Sequence, residues 1–261
     1  VRKRGFMSEL LVVDIGNTNI VFGIFAGEEM VAEFRCRTDS STTIDEYEVF
    51  LATLLARQKA PRKISRAIIS SVVPPVTPTI VRLLEERFSV TPLVVGVGIK
   101  TGIKISVPEP HTVGADRIVN TVAAKHLFGA PALVVDFGTA TTIDYLSADG
   151  AYQGGVIAPG PILALESLSS RTAKLPRVEL AWPKSVVGNT TVTCMQSGAV
   201  VGYLCLVEGL IERIQAEVGR IEHVVATGGL GRLYSEHSKV ISRYDPHLTL
   251  KGMKILADLN R

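Results

Sequence analysis

The sequence predicts an α/β protein built from two similar halves, and three observations predict it. The segment LVVDIGNTNIVF at residues 11–22 is nearly repeated as LVVDFGTATTID at residues 133–144. Self-similarity on this scale marks an internal duplication. After each copy the same patterns follow in the same order: strand-like runs, a helix, a strand and a helix, which is an α/β plan. Residues 66–73, RAIISSVV, form the near-continuous apolar run of a strand covered on both faces. A boundary near residue 130 gives domains 1–130 and 131–261, facing each other across a cleft.

In chain order, strands are expected at 10–15, 20–25 and 30–36, with Gly16-Asn17-Thr18-Asn19 as the turn between the first two. Thr43-x-x-Glu46 is a capping-box pattern, and Ile44, Tyr47, Leu51, Leu54 and Leu55 share one helical face behind it. Pro74-Pro75 ends the strand at 66–73, and a helix is expected near 77–88. A short strand at 92–96 follows. Residues 97–113 are punctuated by Gly and Pro and read as irregular. A helix near 115–128 closes the half. The second half has strands at 132–137, 141–147 and 151–156, and a helix near 161–173 after Pro159-Gly160-Pro161. A long helical pattern covers 191–218. A strand at 222–227 runs into Thr227-Gly228-Gly229, and a last helix near 249–260 is placed to pack back onto the first half.

Composition excludes several classes. The 261 residues are 46% hydrophobic and 20% charged, enough for a sizeable core and against long disorder. A net charge of +3, spread along the chain, does not suggest nucleic acid. The basic run Arg2-Lys3-Arg4 is brief, and Met7 reads as a natural start with residues 1–6 as an extension. No secretory pattern follows it. Cys36, Cys194 and Cys205 are three in number and lack CxxC spacing, so neither a disulfide scaffold nor a zinc site is expected, and a reducing cytoplasm fits. The apolar stretch 198–211 is short and carries Glu208. It reads as a buried helix, with Gly198 and Gly202 allowing close packing in a soluble core, not as a membrane span.

The duplicated motif suggests its own chemistry. A carboxylate at the end of a buried strand, here Asp14 and Asp136, can hold a hydrated cation. Gly16 and Gly138 let the backbone approach a ligand, while Thr18, Thr139 and Thr141 with nearby amides can bind phosphate oxygens. Thr227-Gly228-Gly229-Leu230-Gly231 lets an adenine or ribose lie against bare backbone, or is simply a helix-capping turn. Gly114-Ala115-Asp116-Arg117 opens a helix. Asp116 is placed to accept a proton from an alcohol, and Arg117 to pair with an anion; the plainer reading is an Asp favouring the helix dipole. A Walker A loop, a nucleophile elbow and zinc-spaced histidines do not occur, and Gly96 to Gly102 misses the dinucleotide fingerprint by one residue.

Taken together, Asp14-x-Gly-Asn-Thr, Ile69-Ser-Ser-Val-Val-Pro74, Gly114-Ala-Asp-Arg117, Asp136-Phe-Gly-Thr-Ala-Thr141, Gly154-Gly155 with Pro159-Gly160, and Thr227-Gly-Gly229 resemble, in order and across residues 8–260, the type III pantothenate kinases. The resemblance implies two ribonuclease-H-like domains of the acetate/sugar kinase and actin-like ATPase superfamily. It implies ATP-dependent phosphorylation of pantothenate to 4′-phosphopantothenate, the first step of coenzyme A biosynthesis, by a cytoplasmic homodimer acting on neither nucleic acid nor membrane.

By position, the resemblance puts phosphate binding on Asp14, Ile15, Gly16, Asn17, Thr18, Asn19, Ile20 and Val21, with Mg²⁺ at Asp14. It puts the proton acceptor on Asp116 within a pantothenate-contacting stretch Gly114, Ala115, Asp116 and Arg117. A monovalent cation (K⁺ or NH₄⁺) falls on Asp136, further ATP contacts on Thr139, Gly228 and Gly229, and a substrate contact on Thr191. The chain departs from the family at Asn189-Thr190-Thr191 and at Val107, where many members carry a substrate-contacting tyrosine. Two other readings are a catalytically inactive regulatory homologue and an actin-like polymer former. Intact Asp14, Asp116 and Asp136 oppose the first, and the short chain opposes the second.

Overall fold

The computed structural model describes residues 9–57 and 63–261; Arg2-Lys3-Arg4 and Met7 lie outside the described residues. The chain forms β1 (Glu9–Ile15), β2 (Asn19–Ala26), β3 (Glu29–Arg37), α1 (Ile44–Ala56), β4 (Ile64–Ser71), α2 (Thr77–Phe88), β5 (Leu93–Val94), β6 (Lys104–Ile105), α3 (Ala115–Phe128), β7 (Ala132–Phe137), β8 (Ala140–Leu146), β9 (Ala151–Pro159), α4 (Pro161–Arg171), α5 (Thr191–Gln196), α6 (Tyr203–Val218), β10 (His223–Thr227), α7 (Gly231–Ser235), β11 (Arg243–Tyr244) and α8 (Leu248–Leu259). A π-helical turn over Ser197–Gly202 joins α5 to α6.

Two sheets carry the duplication. The first has the order β3-β2-β1-β4-β5 and the second β11-β10-β7-β8-β9-β6. In each, the three leading strands run antiparallel; the next strand pairs with the first in parallel, and the last pairs in parallel with that one. Set aside β6, and the second sheet repeats the first strand for strand. This is the duplicated α/β plan that the resemblance implies.

The chain divides into two compact units. One comprises residues 1–102, 109–123 and 249–261; the other comprises 103–108 and 124–248. The division falls within α3, and the chain changes unit again at residues 103, 109 and 249, so each unit is discontinuous in sequence. The C-terminal α8 belongs to the first unit.

In the first unit, Leu11, Val13 and Ile15 of β1, with Ile20 and Phe22 of β2 and Ala67 and Ile69 of β4, face α1 and α2. α1 begins at a closed capping box in which Glu46 N–H donates to Thr43 Oγ1 and Thr43 N–H to Glu46 Oε2. Such a cap is worth about 1 kcal/mol. Side chains alternate along a strand, so Val12 and Asp14 take the other face. There Gly23 leaves room for Leu250 of α8; a Cβ on Gly23 would lie 3.2 Å from Leu250 Cδ1. α8 in turn meets α3, with Thr249 Oγ1 donating to Asn120 Oδ1 at 2.8 Å.

In the second unit, Leu133, Val135 and Phe137 of β7 pack on Val200, Leu204, Val207 and Ile211 of the π turn and α6. Phe137 stacks on Tyr234 of α7 at 4.8 Å. By the same alternation Asp136 takes the opposite face, as Asp14 does in the first unit.

The helical stretch 191–218 corrects one expectation. Its apolar face is buried at Val200, Val207 and Ile211, but Gly198 and Gly202 are exposed. A Cβ on Gly198 would meet nothing within 4 Å, so these glycines do not serve close packing within this chain. The stretch Thr191–Val218 is long and apolar enough to cross a membrane by length and composition, with only 33% of its most apolar window buried.

Candidate active site

In the first unit the site grows from the ends of β1 and β4 and the start of α3. The β1–β2 turn is tight: Gly16 N–H donates to Asn19 O at 3.0 Å. It is tied from the side by Thr38, whose hydroxyl donates to Gly16 O at 2.6 Å and whose N–H donates to Thr18 O at 3.0 Å. Asn17 and Thr18 are left exposed at its tip, while Ile15 and Ile20 anchor its base in the core. The predicted segment Asp14 to Val21 is thus one braced hairpin with an exposed polar tip. Thr38, from beyond β3, is the bracing residue that sequence reasoning missed; nothing local marks it.

Gly114 precedes α3, and a Cβ there would lie 2.6 Å from Asp116 Oδ1 and 3.7 Å from Val72 Cγ1. The glycine therefore lets the Asp116 carboxylate fold back over the helix start, beside the end of β4. Asp116 Oδ1 accepts from Arg117 N–H at 2.8 Å. Burial pushes the Asp116 carboxyl above its ordinary value, against the lowering effects of the Arg117 N–H bond and the Arg117 charge. A carboxylate that is partly desolvated yet pinned in place is a stronger base than one in water.

In the second unit three predicted segments converge. A Cβ on Gly228, which has φ +86°, would lie 2.4 Å from Asp136 Oδ1 and 2.7 Å from the Phe137 backbone. The Thr227–Leu230 turn therefore lies directly against the end of β7. Gly160, at the head of α4, closes the other side: its N–H donates to Thr139 O at 2.9 Å, and a Cβ there would lie 2.4 Å from the carbonyl oxygens of Gly138 and Thr139. Asp136, Thr139, Gly228 and the less crowded Gly229 thus form one cradle of backbone and carboxylate. A cavity of about 850 Å³ includes Leu230 in its lining, with Leu165, Glu166 and Arg171 of α4 and Arg177 and Leu180 of the segment after it, so its walls are both apolar and charged.

Two predicted positions are less central. Thr191 is exposed at the first position of α5, where Thr190 and Thr193 make the capping bonds. Val107 follows β6 and packs toward Gly154, whose Cβ position lies 3.7 Å from Val107 Cγ1.

Among the described residues there is no cluster of three or more His, Cys, Asp or Glu that could cage a metal. Mg²⁺ does not need one: it keeps several waters and takes one or two carboxylates plus substrate phosphates, so the single carboxylate of Asp14 at the end of β1 is compatible with it. Asp136 offers a carboxylate beside the Gly228 turn.

Comparison with known proteins follows this geometry. Residues 10–213 match the family model of type III pantothenate kinase. The chain belongs to the type III pantothenate kinase family. It is therefore a kinase of pantothenate-kinase type, and the family implies ATP as phosphoryl donor. The fold also resembles solved structures at low identity. A conserved Campylobacter jejuni protein named for the Baf family of transcriptional activators is 19% identical with a TM-score of 0.61, covering 96% of this chain and 98% of that one. The inorganic polyphosphate/ATP-glucomannokinase of Arthrobacter sp. strain KM is 16% identical with a TM-score of 0.55, covering 97% and 100%. The ethanolamine utilization protein EutJ of Carboxydothermus hydrogenoformans is 13% identical with a TM-score of 0.54, covering 97% and 90%. At these identities the likeness speaks for the fold.

Proposed function

We propose that the chain transfers the γ-phosphoryl group of ATP to the primary alcohol of pantothenate, giving ADP and 4′-phosphopantothenate, the first step toward coenzyme A. The observation that carries this reading is the Asp116 carboxylate, raised in pKa and held at the start of α3 next to the end of β4. It stands in the same unit as the phosphate-binding hairpin of Asp14.

Phosphoryl transfer asks for alignment and charge neutralisation more than for covalent catalysis. The β1–β2 turn supplies backbone amides and the Thr18 hydroxyl to the phosphates. In the second unit, Thr139 and the backbone of Gly228 and Gly229 would contact ATP, beside a cavity of mixed polar and apolar lining. Gly114 to Arg117 positions pantothenate, with Thr191 as a further contact. Asp116 accepts the hydroxyl proton as the new P–O bond forms and the bond to the β-phosphate oxygen breaks. Asp14 would hold Mg²⁺ and Asp136 a monovalent cation, which would neutralise charge on the phosphates.

A panel of acceptors tests the substrate. Pantothenate should drive ADP release, while glucose, acetate and glycerol at equal concentration should not. Equal release with all four would sink the pantothenate assignment.

The cation reading has its own test. Exchanging potassium for sodium or a large organic cation at constant ionic strength should lower the rate, and Asp136→Ala should abolish the difference between ions. Equal wild-type rates in potassium and in alkali-free Tris would refute it.

We also read the protein as a cytoplasmic homodimer. An apolar groove of about 420 Å³ runs between α4 and the α5–α6 stretch, lined by Leu165, Leu168, Met195, Gly202 and Leu206. Leu168 and Leu206 are 46% and 44% exposed and line the same groove, which suits a second copy. Leu206→Glu should shift the sedimentation coefficient from dimer toward monomer. A wild type that sediments as a monomer would rule the dimer out.

A further inference from the structure

The hydroxyl of Ser70 is buried without a hydrogen-bond partner, and its place explains why. Ser70 is fully buried in β4, and its Oγ makes no hydrogen bond within the protein. Buried polar groups are nearly always paired, so a lone one calls for a reason. Its neighbour Ser71 shows the ordinary pattern: Ser71 Oγ accepts from Thr77 Oγ1 at 2.7 Å and from Val73 N–H at 3.1 Å. Ser70 is therefore an exception within one dipeptide.

Register supplies the reason. Ser70 lies opposite Asp14 in the parallel β1–β4 pair. Ala67 and Ile69 face the α1–α2 core, so Ser70 takes the same face as Asp14. The internal duplication repeats the arrangement. In the second sheet the residue opposite Asp136 is Thr227, again a buried hydroxyl on the parallel neighbour. Two carboxylates at equivalent strand ends each have a hydroxyl residue beside them, although the surrounding positions are apolar and differ.

We propose that Ser70 is a positioning residue for Asp14. With a cation held at Asp14, the carboxylate would be fixed in orientation, and a rotation about χ1 would let the neighbouring Ser70 hydroxyl donate to it. The partnerless Ser70 hydroxyl, on the same face as Asp14, is placed for that bond. Outer hydrogen bonds of this kind orient a ligating carboxylate, and their loss typically costs 10- to 100-fold in metal affinity or activity. This inference rests on the kinase reading above.

The resting and loaded states test it separately. In ligand-free protein, Ser70→Ala removes an unpaired hydroxyl, so the melting temperature should be unchanged or higher. The magnesium concentration for half-maximal rise in melting temperature at fixed ADP should increase by about 10-fold or more. Ser70→Cys, nearly isosteric but a weak donor, should behave like Ser70→Ala. A drop of several degrees in the ligand-free Ser70→Ala protein would mean that the hydroxyl is bonded at rest, and would overturn the proposal. So would an unshifted magnesium dependence in either variant. Failure of the kinase reading looks different: the wild type itself would show no magnesium-dependent response to ADP.

Discussion

Replacing Asp116 with Asn should lower turnover by roughly 10²-fold or more, within the usual range for loss of a general base, while leaving the protein at least as stable. The geometry predicts both halves. Asn keeps the size and the Oδ1 acceptor that receives Arg117 N–H, so the start of α3 should hold its shape. What it loses is the charge and the basicity. Stability follows from the direction of the pKa shift. A carboxyl whose pKa is raised on folding binds its proton more tightly in the folded state, so the folded state is favoured while the group is protonated. That advantage is lost as pH rises from the unfolded pKa through the higher folded one. Above that window the buried charge works against the fold, and Asn escapes the cost. The same shift places the acid limb of wild-type kcat/KM above the ordinary Asp range. Measuring kcat, the pH profile and the melting temperature at pH 7 checks all three. Near-normal turnover in Asp116→Asn would remove Asp116 as the base.

Gly228→Ala should be the most damaging single methyl in the nucleotide cradle. The residue has φ +86°, and its Cβ would lie 2.4 Å from Asp136 Oδ1 and 2.7 Å from the Phe137 backbone N. Left-handed backbone costs a non-glycine residue about 1–2 kcal/mol, and an overpacked methyl typically a further 1–3 kcal/mol. Because Phe137 is backbone in the core, the strain cannot be relieved by a flexible side chain; the turn itself has to move away from Asp136. We expect a fall of several degrees in melting temperature and loss of ATP-dependent activity. Gly229→Ala is the control. A Cβ there would meet nothing within 4 Å, so stability should hold within about 0.5 kcal/mol. Any effect should then fall on the KM for ATP. If Gly228→Ala is as benign as Gly229→Ala, the cradle has been misplaced.

The strand ends that carry Asp14 and Asp136 were legible in the sequence because the signal is local and doubled. A β-branched run stops at Asp-x-Gly in each half, and alternation puts the carboxylate opposite the core face. The start of α3 was legible for a similar reason, since Gly114 and Asp116 act within one turn of each other.

What stayed hidden depends on residues far apart in the chain. β6 has two residues and exists through pairing with Ala151 and Tyr152, which no periodicity announces within an irregular segment. The short β11 and α7 lack a length over which a pattern can repeat. Gly160 could be quoted as part of a motif, but its closeness to the carbonyls of Gly138 and Thr139 is a tertiary fact. The glycines at 198 and 202 were misread because small residues at helical spacing look the same whether they meet a neighbour in the same chain or stay open.

The central claim is phosphoryl transfer to pantothenate. Its most direct test is a reaction with carbon-labelled pantothenate and Mg²⁺–ATP, separated by chromatography and weighed by mass spectrometry. The account predicts labelled 4′-phosphopantothenate, heavier by one phosphoryl group and equimolar with ADP, with Asp116→Asn giving almost none. Unchanged pantothenate in the presence of wild-type protein that binds ATP would contradict it.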